Sequence, residues 1–307
     1  MTRRTVFRLF GLALLLVAGL IYLTRPERIG PDAIPTHTAD LANGERMFWA
    51  GGCASCHAAP GAKGDDKLVL AGGVELDTPF GLFRAPNLSP DPEHGIGGWS
   101  EADFVTAMTL GTSPQGTHYY PAFPYASYRN MRLEDLIDLK AFLDTLPAST
   151  NVVADHDLAF PFSWRGTLGF WKALYLKRVP PPAPQDADET VLRGHYLLTG
   201  PGHCAECHTP RDLLGGQDLD HWLAGGPNPD GEGMIPNITP SRSGIGSWSA
   251  GDIAYYLESG FTPDFDSVGG SMADVQENWS RVPAADREAI AAYLKTVTPM
   301  PAQDQQD

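Results

Sequence analysis

All four cysteines of this 307-residue chain fall in two copies of one short pattern: Cys53-Ala-Ser-Cys56-His57 and Cys204-Ala-Glu-Cys207-His208. Cys-x-x-Cys-His is the attachment signature of a c-type haem. The two thiols bond covalently to one porphyrin, and the adjacent histidine is directed at the iron as its proximal ligand. The pattern therefore predicts two covalently bound haems c, with His57 and His208 as iron ligands.

Three other uses of paired cysteines fit this chain less well. The cysteine pairs of a zinc ribbon lie about 15 to 20 residues apart, whereas Cys53 and Cys204 are far more widely separated. A thioredoxin-like pair belongs to a βαβ unit, and no such pattern surrounds either motif. Structural disulfides would use four cysteines, but they would not require the histidine that follows each pair.

The likeness between the two parts of the chain extends beyond the cysteines. Three further runs recur in the same order: Ala71-Gly72-Gly73 with Ala224-Gly225-Gly226, Pro86-Asn87-Leu88-Ser89-Pro90 with Pro236-Asn237-Ile238-Thr239-Pro240, and Gly95-Ile96-Gly97-Gly98-Trp99-Ser100 with Gly244-Ile245-Gly246-Ser247-Trp248-Ser249. Their spacing from the haem motif is also nearly the same in both copies. We therefore expect two copies of one domain, each of roughly 120 to 145 residues.

The apolar spacing in both copies is helical. Helices are predicted to lead into each haem motif and to close each copy, over residues 41–48, 133–146, 190–198 and 283–297. Pro283 suits the first helical position, where its missing N–H costs nothing. Ser100 and Ser249 are N-cap candidates, each followed three residues later by an aspartate. Because no long strand is predicted, the fold class is mostly α.

Breaks in composition divide the chain. The predicted parts are an N-terminal anchor, a tether, a first class I-like cytochrome c domain, a proline-rich linker, a second such domain and a tail, over residues 1–25, 26–37, 38–179, 180–186, 187–300 and 301–307. The run Pro180-Pro181-Pro182-Ala183-Pro184 excludes helix and inner strand, because proline has no backbone N–H. We call residues 38–179 the first half and residues 187–300 the second half.

The N-terminus carries an apolar run over residues 9–23, with Arg3, Arg4 and Arg8 before it and Arg25 after it. As a helix that includes the two apolar residues before Arg8, the run approaches the ~30 Å hydrocarbon core of a bilayer. A cleaved leader has the same charge pattern, but no small-x-small cleavage site follows, which favours a retained anchor. The positive-inside rule then predicts an inner-membrane protein whose haem domains face the periplasm.

The formal net charge of −15 argues against nucleic-acid binding, which needs a basic face against phosphate. This charge is uneven, at −5 for residues 36–180 and −13 for residues 181–307. The acidic charge of residues 181–307 has two explanations. It favours docking of a basic partner, or it only keeps the protein soluble.

A sixth iron ligand is expected on the loop before the last helix of each copy. Class I cytochrome c domains place a methionine there, because a thioether raises the reduction potential. Met272, 24 residues after Trp248, is the candidate in the second copy. The matching position after Trp99 is Phe123, which cannot coordinate iron.

The first haem therefore needs another ligand or none. Met131 lies eight residues after Phe123, just before the closing helix, and is the favoured candidate, although it would also suit a core position. His118 would give a bis-histidine haem of lower potential. Met108 has helical spacing that is more typical of a core residue. The remaining alternative is an iron that is open or bound by water.

Two expectations concern the Pro-Asn runs. The carbonyl groups of Pro86 and Pro236 are candidates to accept a hydrogen bond from the second ring nitrogen of the motif histidine, which would fix its tautomer. Asn87 and Asn237 either donate to haem propionates or form turns.

The chain resembles the cytochrome c subunits of membrane-bound dehydrogenases. The resemblance rests on the haem motifs, the Pro-Asn-x-[Ser/Thr]-Pro and Gly-Ile-Gly-x-Trp-Ser runs and the Tyr-Pro-Ala-x-Pro-Tyr run around Phe123. That family serves alcohol, gluconate, fructose and related dehydrogenases of the bacterial periplasm, and the resemblance covers nearly all of the chain after Thr38. Its members often carry three haems and a methionine ligand at the variable position of the tyrosine-rich run. This chain departs with two haem motifs and with Phe123.

The resemblance implies an electron carrier with a dehydrogenase subunit as donor and an oxidase, a quinone or a soluble cytochrome as acceptor. The sequence contains no motif for acid–base catalysis, which agrees with that role. The alternative is a dihaem enzyme resembling a thiosulfate dehydrogenase or a peroxidase. Such an enzyme would use an open or unusually ligated first haem near Phe123.

Overall fold

The computed structural model describes residues 2–228 and 233–301, so most of the predicted tail lies outside the described residues. Helices dominate, as predicted. They are α1 (Arg3–Leu23), α2 (Leu41–Ala50), α3 (Cys53–His57), α4 (Glu101–Leu110), α5 (Tyr125–Tyr128), α6 (Leu133–Leu143), α7 (Leu168–Tyr175), α8 (Glu189–Thr199), α9 (Ala205–His208), α10 (Ala250–Ser259), α11 (Met272–Ser280) and α12 (Ala284–Leu294).

Each half is built around a pair of crossing helices, α2 with α6 and α8 with α12. The crossing is close because each pair meets at a glycine. A Cβ on Gly44 would lie 2.1 Å from the carbonyl oxygen of Asp138, and one on Gly194 would lie 1.9 Å from that of Ala289. The helix that leads into each haem motif is thereby fixed against the helix that closes the same half.

The predicted helix starts are confirmed at two caps. Ser100 and Ser249 each form a reciprocal capping box with the aspartate three residues on. Both closing helices end three residues earlier than predicted, and Pro283 is the N-cap and not the first helical residue. The apolar spacing continues past these ends because Leu146 and Val297 are still buried, although the backbone has left the α-helix.

Short strands, which the apolar pattern did not predict, lie in the loops after each haem motif. In the first half, β1 (Glu75–Thr78) pairs antiparallel with β2 (Gly81–Arg84), and β2 pairs with β3 (Asp157–Leu158). In the second half, β4 (Gly226–Pro227) pairs with β5 (Met234–Ile235). Segments of two to four residues are too short for a period-2 pattern to be distinguished.

One cluster of buried side chains runs through both halves. The segment between them is also packed, because Lys172 on α7 donates to the carbonyl oxygens of Leu110 and Gly111 at 2.7 Å each, while Tyr175 donates to Asp212 at 2.8 Å. The proline run that follows has neither helix nor strand, as the lack of backbone N–H groups in its prolines predicts.

The N-terminal helix α1 has 21 residues and is the one helix in the described part of the chain that is long and apolar enough to cross a bilayer. No residue of its most apolar stretch is buried inside the protein. The predicted tether after it packs on the first half, where Arg28 donates to Pro114 O at 2.7 Å and His37 Nε2 lies 2.7 Å from Asp138 Oδ1.

Candidate haem sites

Both Cys-x-x-Cys-His motifs form a single helical turn directly after a sharp bend. α3 carries the first motif, and Cys204 caps α9, which carries the rest of the second. Gly52 (φ +60°) and His203 (φ +37°) make the bend. One turn places the two cysteines of a motif, three positions apart, on the same helix side. The arrangement suits covalent attachment of one porphyrin at each turn.

The ring of each motif histidine is held through Nδ1. His57 Nδ1 lies 2.8 Å from the carbonyl oxygen of Pro86, and His208 Nδ1 lies 2.8 Å from that of Pro236. Since a carbonyl only accepts, Nδ1 carries the proton in both rings. This confirms the predicted role of the two proline carbonyls. Nε2 makes no hydrogen bond to any described residue and is the nitrogen left for iron.

The Ala-Gly-Gly run explains how this carbonyl reaches the histidine. Gly72 donates its N–H to the carbonyl oxygen of His57 at 2.7 Å and has φ +70°. A Cβ there would lie 2.6 Å from the carbonyl carbon of Pro86, so only glycine admits this approach. In the second half, Gly225 (φ +77°) makes the same hydrogen bond at 2.8 Å. In each half, the Ala-Gly-Gly run and the Pro-Asn run thus act together to hold the ring of the motif histidine.

The asparagines of the Pro-Asn runs form turns, which was one of the two predicted alternatives. Oδ1 of Asn87 and of Asn237 accepts from the backbone N–H two residues on, at 2.8 Å in each case. The amide nitrogens donate to Ser149 O at 2.7 Å and to Met300 O at 2.9 Å. Each run is therefore tied to the chain that follows the closing helix, and its amide is committed to the protein backbone.

The chemistry of the donor groups fits haem c. Burial lowers the pKa of His57 and of His208, against the opposing effect of the proline carbonyls, so both rings are neutral, the form that binds a metal. Burial, reinforced by the second thiol of each pair, raises the pKa of Cys53 and of Cys204 to about 12. A covalently attached haem requires two thiols and a neutral imidazole whose ring orientation is fixed, and here Nδ1 of each ring is held by a proline carbonyl.

The two candidate methionines lie in different surroundings. Met272 is the first residue of α11 and is partly buried against the core cluster. Met131 lies in the turn between α5 and α6 and is 5% exposed. A Cβ on Gly200 would lie 3.4 Å from Met131 Cγ, so the Met131 side chain packs at the boundary with the second half.

Aromatic rings surround Phe123, the residue that replaces the expected methionine. Its ring centroid lies 5.8 Å from those of Tyr119 and Tyr128 and 6.1 Å from that of Tyr125. Burial raises the pKa of the Tyr128 hydroxyl, and Cys53 acts in the same direction, which shows that this cluster adjoins the first haem motif.

The other two candidates lie in the interior of the first half. His118 donates from Nε2 to the carbonyl oxygen of Thr24 at 2.9 Å, at the end of α1. Met108 is 7% exposed on α4 within the core cluster.

The two haem motifs also contact each other's halves, which no local pattern in the sequence indicated. Asn278 on α11 donates from Nδ2 to Ser55 Oγ of the first motif at 2.6 Å. Ser127 on α5 donates to Glu206 Oε1 of the second motif at 2.5 Å. Ser55 and Glu206 are the third residue of their motifs, so the two contacts are related by the internal repeat.

The bends that precede the two motifs meet at one carbonyl group. Gly51 O accepts from His203 Nε2 at 3.3 Å and from the Tyr128 hydroxyl at 3.2 Å. The His203 and Tyr128 ring centroids are 5.5 Å apart and nearly perpendicular. Since His203 immediately precedes Cys204 and Gly51 lies two residues before Cys53, packed protein connects the two attachment segments.

Comparison with known proteins agrees with this geometry. Residues 41–147 match the family model of cytochrome c. A dihaem cytochrome c-type protein of Cereibacter sphaeroides is 56% identical over 292 residues, which are 94% of this chain and 96% of that protein. The cytochrome subunit of fructose dehydrogenase from Gluconobacter japonicus is 34% identical, over 92% of this chain and 57% of that subunit.

The cytochrome c subunit of the quinone-type alcohol dehydrogenase of Gluconobacter oxydans is 33% identical, over 85% of this chain and 55% of that subunit. This chain thus spans nearly all of the Cereibacter protein and somewhat more than half of the two dehydrogenase subunits.

Proposed function

Because this chain belongs to the dihaem c-type cytochromes and binds two haems c covalently, we propose that it carries electrons from a dehydrogenase to a respiratory-chain acceptor. One observation carries the proposal: both motifs are complete, and each histidine ring is held by a proline carbonyl with Nε2 left for iron. When bound, the two haems supply reversible one-electron chemistry.

The residues of this chain hold and orient the two sites. Gly72 and Gly225 let the proline carbonyls approach the histidines, and those carbonyls fix the ring orientation. The Gly51 carbonyl, with His203 and Tyr128 bound to it, keeps the two attachment segments in contact. These features support exchange of electrons between two class I-like haem domains, one in each half.

For the sixth ligands we propose Met272 at the second haem and Met131 at the first. Met272 lies at the start of the helix before the closing helix, in line with its place in the repeat. Met131 is buried two residues before α6, in the core cluster against which Cys53 packs. A thioether at both irons would favour electron transfer over substrate binding.

The relatives of this chain indicate which proteins would exchange electrons with it. The fructose and alcohol dehydrogenase subunits named above support a dehydrogenase subunit as donor. An oxidase, a quinone or a soluble cytochrome would serve as acceptor. We further propose that α1 is retained as an anchor in the inner membrane and that both halves face the periplasm, since arginines precede its apolar length.

A deletion strain tests this role. Membranes that lack the protein should lose oxygen uptake with one dehydrogenase substrate among alcohols, fructose and gluconate, and the gene supplied in trans should restore it. The purified holoprotein should show two haems, neither of which binds carbon monoxide. Unchanged respiration with every substrate tested would contradict the carrier role.

The aromatic cluster around Phe123 favours one alternative, a dihaem enzyme that uses an open first haem. Such a protein would bind carbon monoxide or cyanide at one haem and would turn over thiosulfate or peroxide. The same preparation therefore separates the two functions.

A further inference from the structure

The segment from residue 158, the last residue of β3, to residue 185 has an unusual surface. Residues 158–185 contain four basic side chains and no acidic one, in a chain of net charge −15. Large apolar side chains on it are exposed to solvent: Phe160 81%, Phe162 43%, Trp164 62%, Phe170 39% and Leu174 56%. We call these five residues the aromatic surface. Grouped exposed apolar side chains of this size mark interaction sites.

This segment touches the end of α1. Thr24 caps the helix, and a Cβ on Gly169 would lie 2.2 Å from the carbonyl oxygen of Thr24, so α7 starts directly against it. The same Thr24 oxygen accepts from His118 Nε2 at 2.9 Å, and Arg165 in turn donates to His118 O at 2.9 Å. Two points of the segment are therefore fixed to the last turn of α1.

The position of Thr24 sets the depth of the segment. At 1.5 Å per residue, the 21 residues of α1 extend about 31 Å, close to the hydrocarbon thickness of a bilayer. Arg25 lies 4.1 Å above the Tyr22 ring, a pair typical of the lipid–water interface. Side chains that contact Thr24 therefore lie at the level of the lipid headgroups when α1 spans.

Helix α7 presents its apolar side outward. Phe170 and Leu174, one turn apart, are exposed, whereas Gly169 packs on Thr24 and Lys172 is bound to carbonyl groups inside the protein. A helix on a water-facing surface has the opposite arrangement. Helices that lie in a bilayer interface bury an aromatic and aliphatic face beside basic residues, and exposed Lys177 follows α7.

We propose that the aromatic surface inserts into the headgroup region of an anionic bilayer beside α1 and forms a second membrane contact. This inference rests on the proposed anchoring by α1. Continuity with α1 and the absence of acidic residues from the segment favour lipid as the occupant over a protein partner. Two membrane contacts would fix the orientation of both haem halves relative to the membrane. With α1 as the single contact, that orientation would depend only on how residues 26–37 pack against the first half.

Photocrosslinking in the full-length holoprotein tests the contact. Phe160→p-benzoylphenylalanine and Trp164→p-benzoylphenylalanine are reconstituted in vesicles of phosphatidylglycerol and phosphatidylcholine in equal parts, irradiated and analysed by mass spectrometry. Leu15→p-benzoylphenylalanine, on α1, reports the anchor. Phe265→p-benzoylphenylalanine, an 86% exposed aromatic of the second half, is the matched control.

Lipid adducts at positions 15, 160 and 164, with none above background at position 265, are expected. Adducts at position 15 without adducts at 160 and 164 would overturn this inference and leave the anchor intact. Absence of lipid adducts at all positions would overturn both. Protein adducts from added membrane extract at 160 or 164, in place of lipid adducts, would assign the aromatic surface to a protein partner and overturn the proposal as well.

Discussion

The side-chain amide of Asn278 donates to the hydroxyl of Ser55 over 2.6 Å, and this hydrogen bond joins the second half to one of the two residues between the cysteines of the first haem motif. Ser127 and Glu206 form the corresponding contact at the second motif. The two halves therefore meet at the helical turns that carry the two Cys-x-x-Cys-His motifs. A change in how the halves pack is expected to reach both haem sites directly.

Asn278→Ala should lower the free energy of unfolding by about 1 to 3 kcal/mol, because Ser55 loses its partner in a site where Asn278 is 1% exposed. Denaturant unfolding of the holoprotein measures the change. Ser280→Ala, an exposed position on the same helix, is the control and should stay within about 0.5 kcal/mol of the wild type. Equal effects of the two substitutions would show that the contact contributes nothing.

Met272→Leu should remove the methionine–iron charge-transfer band of one haem in the near-infrared spectrum and lower the potential of that haem, because a thioether ligand raises it. A redox titration with spectra of the oxidised protein measures both. Met234→Leu, at a 42% exposed methionine, should change neither. An unaltered band in the Met272 variant would remove Met272 as the ligand.

Met131→Leu separates ligation from packing at the first haem. Leucine keeps the volume of the side chain, so the free energy of unfolding should change by less than about 1.5 kcal/mol. It cannot bind iron, so the charge-transfer band of the first haem should be lost. If both bands persist, Met131 only packs against Gly200, and the first haem has another ligand or an open site.

Gly72→Ala should disturb the first haem site, because the added Cβ would lie 2.6 Å from the carbonyl carbon of Pro86. Gly61→Ala is a matched control, since Gly61 also has a positive φ, of +78°, but has open space around it. Both variants bear the left-handed strain of about 1 to 2 kcal/mol. Only Gly72→Ala should lose more stability than that and shift the potential of the first haem. Identical behaviour would contradict the support role of the Ala-Gly-Gly run.

Lys172 should make stability depend on pH. Burial lowers the pKa of Lys172 to about 7, although Glu27 acts in the opposite direction. Above about pH 7 the folded chain has lost this proton, whereas the unfolded chain holds it up to the ordinary lysine pKa of about 10.4, so the free energy of unfolding should rise with pH over that range. Below pH 7 both states are protonated, and the folded chain bears a buried charge.

Lys172→Met should flatten this rise, as followed by denaturant midpoints of the detergent-solubilised holoprotein across the same pH range. Lys177→Met, at an exposed lysine just after α7, should keep the wild-type slope. A wild-type midpoint that is constant over the range would show that Lys172 remains charged in the folded protein.

Much of the helical fold was predictable, because helix starts and apolar faces are local properties. The capping boxes at Ser100 and Ser249 were found from residues three positions apart. The ends of α6 and α12 were placed too late, because Leu146 and Val297 still contribute apolar spacing after the helix has ended. The docked tether was not anticipated, since its contacts with the first half involve residues far along the chain.

Five consecutive residues are enough to specify covalent haem attachment, so the cofactor and its number were readable without a structure. The carbonyl support behind each histidine was also indicated, because the repeat preserved its proline. No pattern in the sequence indicated three other features: the contact of Asn278 with Ser55, the packing of Gly169 on Thr24 and the surroundings of Phe123. Those contacts depend on how distant segments pack, and no spacing within a local stretch of chain encodes which distant side chains become neighbours.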